Sequence, residues 1–548
     1  MSQIKYTSAR YENRIIFVLL GLLITIVAIA RYHLLSIPLE RDEGEYAYMA
    51  KLVLDGHPPY TLACNMKLPG TYYMYALIMK IFGGTDIGIH TGLAIINIAS
   101  IILIFRIVDK LIGKNAALIS AITFGVVSTS WTILGQAAHA TQFVNLFALL
   151  GINAILKKNP DLDLKRWQHL LAGIFFSLAF ICKQSGIFLL FAGITIAIIN
   201  SNSEFSLKGI ISIVIWILIG FITPLIDMVI YFYIWGDFES FKFWTIDFLS
   251  QYGNTVSLSM APEMFISSLR AITNNYSLEG YTPMWAISII GILAAYKCAT
   301  TKKNIMTIYA IIFFSFLTVV PGFYFRQHYY ITYLPAMSIA ASIFFEFLRN
   351  KIKENYSSLP ATYVPLFIFL VMITYSIDSN ADYLFKGNNL ANSKKIYRLN
   401  PFAESIEIGN YIKKNTLPDE KIAILGSEPQ ILFYSNRYSA TRHIYAYNWV
   451  EDQPYASKMQ VESIKEIEIN KPEYILYVNI DVSWLLRPNS DEHIFKWANE
   501  YITKNYHVEG IVNVKSKSIE PIISGDDLKS FRPTSKELIF IYKKNKTS

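Results

Sequence analysis

Along residues 1–378, long apolar runs alternate with short polar breaks. A helix crossing the hydrocarbon core of a bilayer needs about 20 mostly apolar residues, fewer where interfacial aromatics extend it. Eleven runs qualify: 14–33, 87–108, 115–133, 138–156, 169–183, 186–201, 209–234, 281–298, 305–321, 328–348 and 361–378. The short pair at 169–201 also reads as one broken span. After 378 the pattern changes. Residues 401–415 have helical spacing, with Ile406, Tyr411 and Ile412 apolar. Residues 421–426 predict a buried strand ending at Gly426, with a helix from Pro429. Residues 457–469 predict a helix, and 474–480 and 538–542 predict strands. Alternating strands and helices predict a small layered α/β domain. The predicted fold is a polytopic α-helical membrane body of about eleven spans, residues 1–378, followed by a mixed α/β domain, residues 379–548.

Composition sharpens the seam. The 49 basic and 41 acidic residues divide almost evenly, with 46 in residues 1–378 and 44 in the 170 positions that follow. With 53 % hydrophobic residues, the chain is not disordered, not a coiled coil and not a purely soluble globule. The first apolar run follows Arg10 and Arg14 and contains Ala28-Ile29-Ala30, which resembles a signal-peptide cleavage site. Ten further runs favour an uncleaved first span. Cys64, Cys182 and Cys298 are odd in number and scattered, with no disulfide or zinc spacing.

The net charge of +8 carries topology information. With the N-terminus inside, 17 of the 26 basic residues of the membrane body fall on inner segments, among them Arg14, Lys110, Lys157, Lys158, Lys302 and Arg349. The positive-inside bias therefore predicts a cytoplasmic N-terminus in a plasma or inner membrane. An odd span count places 379–548 on the periplasmic or extracellular side. Residues 34–86 and 235–280 become long outer loops, the second rich in interfacial aromatics such as Trp244 and Tyr252. No Lys/Arg run suggests nucleic-acid binding, and no internal repeat suggests a transporter built from related halves.

Candidate chemistry concentrates in the first outer loop. Arg41-Asp42-Glu43-Gly44-Glu45 places four charges in five positions directly after a span. Acidic residues favour a helix N-terminus, so a solvated helix start accounts for the composition. The position near the outer surface, where lipid-linked substrates present head groups, adds a second reading: a carboxylate base toward an acceptor hydroxyl. A turn at Asp55-Gly56-His57-Pro58-Pro59-Tyr60 follows, then Lys67-Leu68-Pro69 and an aromatic helix to Phe82 that lies in the interface. Lys67 is either a snorkelling lysine or a phosphate ligand.

These residues carry a resemblance. Asp42-Glu43 after the first span, the Gly56…Pro59-Tyr60 turn, Lys67-x-Pro69 and the Tyr-rich helix resemble the first loop of the GT-C glycosyltransferases. The branch is that of the protein O-mannosyltransferases and lipid A aminoarabinose transferases. Arg326-Gln327-His328-Tyr329-Tyr330 with Leu334-Pro335, and the segment from Gly426 to Tyr445, are similar to further parts of that group. The resemblance implies transfer of a sugar, with inversion, from a polyprenyl-phosphate donor to a glycan, lipid or protein acceptor outside the membrane. By position it implies Asp42 as base, Glu43 as its acidic neighbour, and Lys67, Arg326, His328 and Tyr329 as donor-phosphate contacts. One departure stands out. Family members often place a carboxylate after the third span, where this chain has residues 135–142 and no acid; His139 or Gln142 substitutes, or the contact is absent. Lys183 and Tyr60 are further candidates. Asp227 is expected to pack inward or to line a polar cavity. Glu428, Arg437 and Arg442 read as structural or, alternatively, as shaping an acceptor site. No metal-ligand cluster is visible beyond Asp42, Glu43 and Glu45, so no essential metal and no cofactor is inferred. A transporter or flippase of lipid-linked sugars is the alternative; it predicts midplane charges and repeat symmetry, and only Asp227 fits.

Overall fold

The computed structural model describes residues 2–157, 164–201, 206–252, 256–273, 280–298, 300–356 and 358–545, without the side chains of 2–13 and 358–362. Lys158, and residues 253–255 and 274–279 of the second predicted outer loop, lie outside the described residues. The chain forms two compact units. One comprises Met1–Leu35, His90–Met228 and Val256–Lys386; the other comprises Ser36–Ile89, Val229–Thr255 and Gly387–Ser548.

The first unit is helical. Each of the eleven predicted apolar runs falls on a helix. Among the described residues, Arg14–Ser36, Asp86–Leu111, Leu207–Ile234 and Gln327–Asn355 are long and apolar enough to cross a membrane, and six shorter apolar helices accompany them. The protein is a multi-pass membrane protein. The pair at 169–201 forms two helices, Arg166–Cys182 and Ile187–Ile199, separated by a tight turn over Gln184–Gly186. Helices approach closely where small residues permit it, as membrane packing favours. A Cβ on Gly291 would stand 1.8 Å from the Ala340 carbonyl oxygen.

Buried Arg31, at the end of the first span, donates to the carbonyls of Gly135 at 2.7 Å and Ser128 at 2.8 Å. It thereby holds the turn that leads into His139. Asp227 departs from expectation: it is exposed on the Leu207–Ile234 helix. Most of that helix's apolar face is itself exposed, Ile226 and Ile230 included. The carboxylate sits seven residues, about 10 Å of helix, from the helix end.

The second unit joins the first predicted outer loop, the start of the second predicted outer loop and the tail. Its five-stranded sheet comprises β1 (Ile422–Leu425), β2 (Tyr474–Asn479), β3 (Tyr506–Asn513), β4 (Ile523–Ser524) and β5 (Leu538–Lys544). The order is β1-β2-β5-β3-β4. β1 and β2 are parallel, with Ile422 opposite Tyr474, and the remaining pairs are antiparallel. A parallel pair needs a crossover, and the helices Pro429–Ser435 and Ala456–Asn470 supply it. These elements match the predicted strands and helices. β3, β4 and the helix His493–Asn505 were not predicted. β3 carries a bulge between Val508 and Gly510, which breaks the two-residue period that betrays a strand.

Candidate active site

The acidic motif opens the helix Arg41–Leu54. Glu40 is its N-cap: the Glu40 carboxylate accepts the Glu43 amide at 2.9 Å, and the Glu43 carboxylate accepts the Glu40 amide at 3.3 Å. This reciprocal capping box satisfies two orphan amides. Glu43 is thereby spent on the backbone and is 1 % exposed. Asp42, one residue earlier, projects from the first turn with its side chain 22 % exposed.

Lys67 closes on this turn. Its ammonium donates to Asp42 Oδ1 at 3.2 Å and to Glu45 Oε2 at 2.7 Å, and lies 4.5 Å from the centre of the Tyr46 ring. Tyr72 donates to the other Glu45 oxygen at 2.8 Å. Burial alone would lower the Lys67 pKa, but Asp42 and then Glu45 hold it well above the ordinary lysine value. Burial raises the pKa of Glu45, with Lys67 opposing. Glu40 is pushed further up, by burial and then by Asp42 and Glu43.

Tyr60 fixes the lysine from behind. Its hydroxyl donates to the Lys67 carbonyl at 2.6 Å. Its ring is fully buried between Phe232 and Phe241. Tyr60 adopts φ 71°, a left-handed conformation that an aromatic residue takes only at a cost of about 1–3 kcal/mol. Pro58 and Pro59 ahead of it stiffen that turn.

The tail supplies the rest of this unit's cluster. Arg41 donates to the Ser427 carbonyl at 2.6 Å, to Asn400 Oδ1 at 3.0 Å and to Glu428 Oε1 at 3.3 Å. Glu428 is fully buried and also accepts from Ser483 at 2.7 Å. Gly44 lies flat against Gln430: a Cβ there would stand 2.6 Å from the Gln430 backbone nitrogen. The Tyr445 hydroxyl reaches Asp42 Oδ1 at 3.3 Å. Glu428 is thus paired with both Arg41 and Ser483. Arg437 donates to the carbonyls of Lys413 and Thr416. Arg442 pairs with Glu466 at 3.0 Å.

The first unit gathers a second set of the sequence candidates. The rings of His139 and His328 stack at 4.2 Å. Tyr329 packs edge-on to His328 at 4.8 Å, and the Lys183 ammonium lies 3.5 Å from the Tyr329 ring centre. Gln142 is buried and donates to the Gly135 carbonyl at 3.4 Å. Arg326 is exposed, with its guanidinium 5.3 Å from the Tyr324 ring centre.

Sequence reasoning named Asp42, Glu43, Tyr60 and Lys67, which the second unit groups together, and His139, Lys183, His328 and Tyr329, which the first unit groups together. It missed Glu45 as a partner of Lys67, and it missed Tyr72 and Tyr445. Only Glu45 left a signal, as the third acid of the motif. The other two reach the cluster from 27 and 403 residues away.

Residues 59–226 match the family described as dolichyl-phosphate-mannose-protein mannosyltransferase. No curated protein sequence matches the chain. Among solved structures, ArnT from Cupriavidus metallidurans bound to undecaprenyl phosphate is similar with a TM-score of 0.55 and 11 % identity, over 96 % of this chain and 97 % of that one. The oligosaccharyltransferase AglB from Archaeoglobus fulgidus, in complex with an inhibitory peptide and a dolichol-phosphate, gives 0.51 and 11 %, over 98 % and 77 %. The mycobacterial arabinofuranosyltransferase AftD gives 0.50 and 10 %, over 96 % and 40 %. Identities this low speak for fold alone. By matched segment and by fold together, the chain resembles the GT-C glycosyltransferases, the protein O-mannosyltransferase and aminoarabinose transferase branch included.

Proposed function

We propose that this protein is a membrane glycosyltransferase that moves a monosaccharide from a polyprenyl phosphate to an acceptor hydroxyl on the outer side of the membrane. The observation that carries the reading is Asp42. It is a partly exposed carboxylate on the first turn after the first span, bonded at 3.2 Å to a lysine that burial fails to discharge. The family match over residues 59–226 and the lipid phosphates named with ArnT and AglB support the donor class.

The chemistry is a single displacement with inversion. Asp42 takes the acceptor hydroxyl proton as the oxygen attacks the anomeric carbon. The bond to the phosphate oxygen breaks, and the polyprenyl phosphate leaves with the electron pair. A positioned base contributes roughly 10²–10⁴ in rate. Lys67 has three ammonium protons; Asp42 and Glu45 take two, and the third serves the donor phosphate. Fixed positive charge at a developing phosphate anion lowers the barrier electrostatically. Glu43 positions Asp42 by closing the helix cap. Arg326, His328, Tyr329 and Lys183, with His139 and Gln142, provide further donor contacts. In this reading the N-terminus is cytoplasmic, residues 379–548 are extracytoplasmic, the acceptor is a glycan, lipid or protein, and no cofactor is assigned.

The test is to incubate the purified protein with a panel of polyprenyl-phosphate monosaccharides and to follow release of the polyprenyl phosphate. Release from one donor identifies the class and the sugar together. A protein that stays in the membrane, binds these lipids and releases none of them overturns the proposal.

A further inference from the structure

Tyr445 belongs to the tail, in a stretch that the end of β1 holds in place. The amide of Ala446 donates to the Gly426 carbonyl at 3.2 Å and to Ser427 Oγ at 3.1 Å. The Tyr445 ring is 5 % exposed and stacks on Tyr447 at 5.9 Å. Tyr447 in turn donates to the Val482 carbonyl at 2.8 Å and lies under the Arg41 guanidinium at 5.2 Å. The ring of Tyr445 is therefore stacked on a tyrosine that Arg41 covers, and the backbone next to it is bonded to the residues that follow β1. From that mount its hydroxyl reaches the Arg41 carbonyl at 3.2 Å and Asp42 Oδ1 at 3.3 Å. A hydroxyl has one proton, which the two acceptors share. The phenol is a donor rather than a phenolate: burial, then the charges of Glu45, Asp42 and Glu40, push its pKa well above the ordinary tyrosine value.

Resting on the reading of Asp42 as the base, we propose that Tyr445 is a positioning residue for that carboxylate, delivered by the tail. Lys67 and Tyr445 approach the same Asp42 oxygen, one from the first loop and one from residues downstream of β1. Two donors converging on one oxygen restrain the plane of the carboxylate more tightly than one does. The tail is thus a working part of the site, and its removal would cost chemistry.

A second tail tyrosine provides the internal comparison. Tyr438 donates to Asp55 Oδ2 at 3.0 Å, at the other end of the same Arg41–Leu54 helix, and touches none of the acidic motif's first turn. Both hydroxyls join tail to helix, and only one reaches Asp42.

The experiment compares wild type, Asp42→Asn, Tyr445→Phe and Tyr438→Phe as full-length protein, using the donor that the polyprenyl-phosphate panel selects. Phenylalanine keeps the stacked ring, and thermal unfolding of each variant checks the fold. Tyr445→Phe is expected to lower kcat about tenfold, the scale of one hydrogen bond to a charged group, with donor KM within about twofold. Tyr438→Phe is expected to turn over like wild type. Wild-type kcat in Tyr445→Phe beside an inactive Asp42→Asn overturns the positioning role and leaves the function standing. An equal loss in Tyr438→Phe, or a change in KM alone, also overturns it. Full activity in Asp42→Asn, or no donor turned over by wild type, removes the reading on which it rests.

Discussion

Arg41 and Glu428 meet at 3.3 Å, joining the first residue of the acidic helix to the residue that follows β1 and Ser427. Glu428 is fully buried and the Arg41 side chain is 14 % exposed. Breaking such a pair from one side leaves an uncompensated charge, at a cost of about 3–5 kcal/mol. Arg41→Ala should therefore lower the apparent melting temperature of the detergent-solubilised protein well beyond Glu428→Gln, which removes the buried charge along with the pair. Arg41→Lys should recover little. An ammonium cannot replace the planar fork that serves Ser427, Asn400 and Glu428 while stacking on Phe402 and Tyr447. Melting temperatures of the three variants in the order Lys, Gln, Ala from highest to lowest would contradict this account.

Gly44 gives a steric prediction in the same contact. Alanine is ordinarily the better helix former, by about 1 kcal/mol. Here its Cβ would stand 2.5 Å from Gln430 Cβ and 2.6 Å from two Gln430 backbone atoms. Backbone cannot swing aside as a flexible side chain can, so overpacking of about 1–3 kcal/mol should outweigh the propensity gain. Gly44→Ala should melt below wild type, whereas Gly21→Ala, with nothing within 4 Å, should not. Differential scanning fluorimetry reads both.

Local signals were the legible part of this chain. The apolar runs, the strand ending at Gly426 and the helix from Pro429 are each written in a few adjacent residues, so pattern alone recovered them. The acidic motif was legible because four charges in five positions are conspicuous in an apolar window. What the motif does locally was harder to see. A glutamate at N-cap and another three residues on spell a capping box, which assigns Glu43 to the backbone. Gly44 within a helical stretch was a second unused signal of close approach. The partners Tyr72 and Tyr445 left no trace, because pairing across 27 and 403 residues is set by tertiary packing. The same holds for the grouping of the first loop with the tail: charge density along a chain marks where solvent begins, and cannot say which solvated segments fold together.

Glu45 makes stability depend on pH in a stated direction. Its pKa is raised on folding, by burial more than Lys67 lowers it. Between the unfolded value near 4.5 and the raised folded value, the folded state binds more protons than the unfolded state. Stability contributed by this group is thus greatest at low pH and falls as pH rises through the folded pKa. Lys67, also raised, keeps its contribution below its ordinary value of 10.5, so it does not reverse the trend at neutral pH. Glu45→Gln should therefore gain on wild type as pH rises from 4.5 toward 8. Melting curves of the two proteins across that range check it, and a constant difference between them would refute it.

Asp42 and Lys67 separate chemistry from binding. Asp42→Asn keeps shape and loses the proton acceptor, so transfer should fall by about 10²–10⁴ with the protein folded and membrane-inserted. Lys67→Ala should act differently. Removing the ammonium takes a cation from the donor phosphate and leaves Asp42 and the buried Glu45 facing each other uncompensated. Donor KM should rise and the melting temperature should drop. Pairing Lys67→Ala with Glu45→Gln removes the stranded charge, so the double variant should regain stability without regaining donor affinity. Recovery of both together would mean that Lys67 serves only to neutralise Glu45, and its role toward the phosphate would be withdrawn.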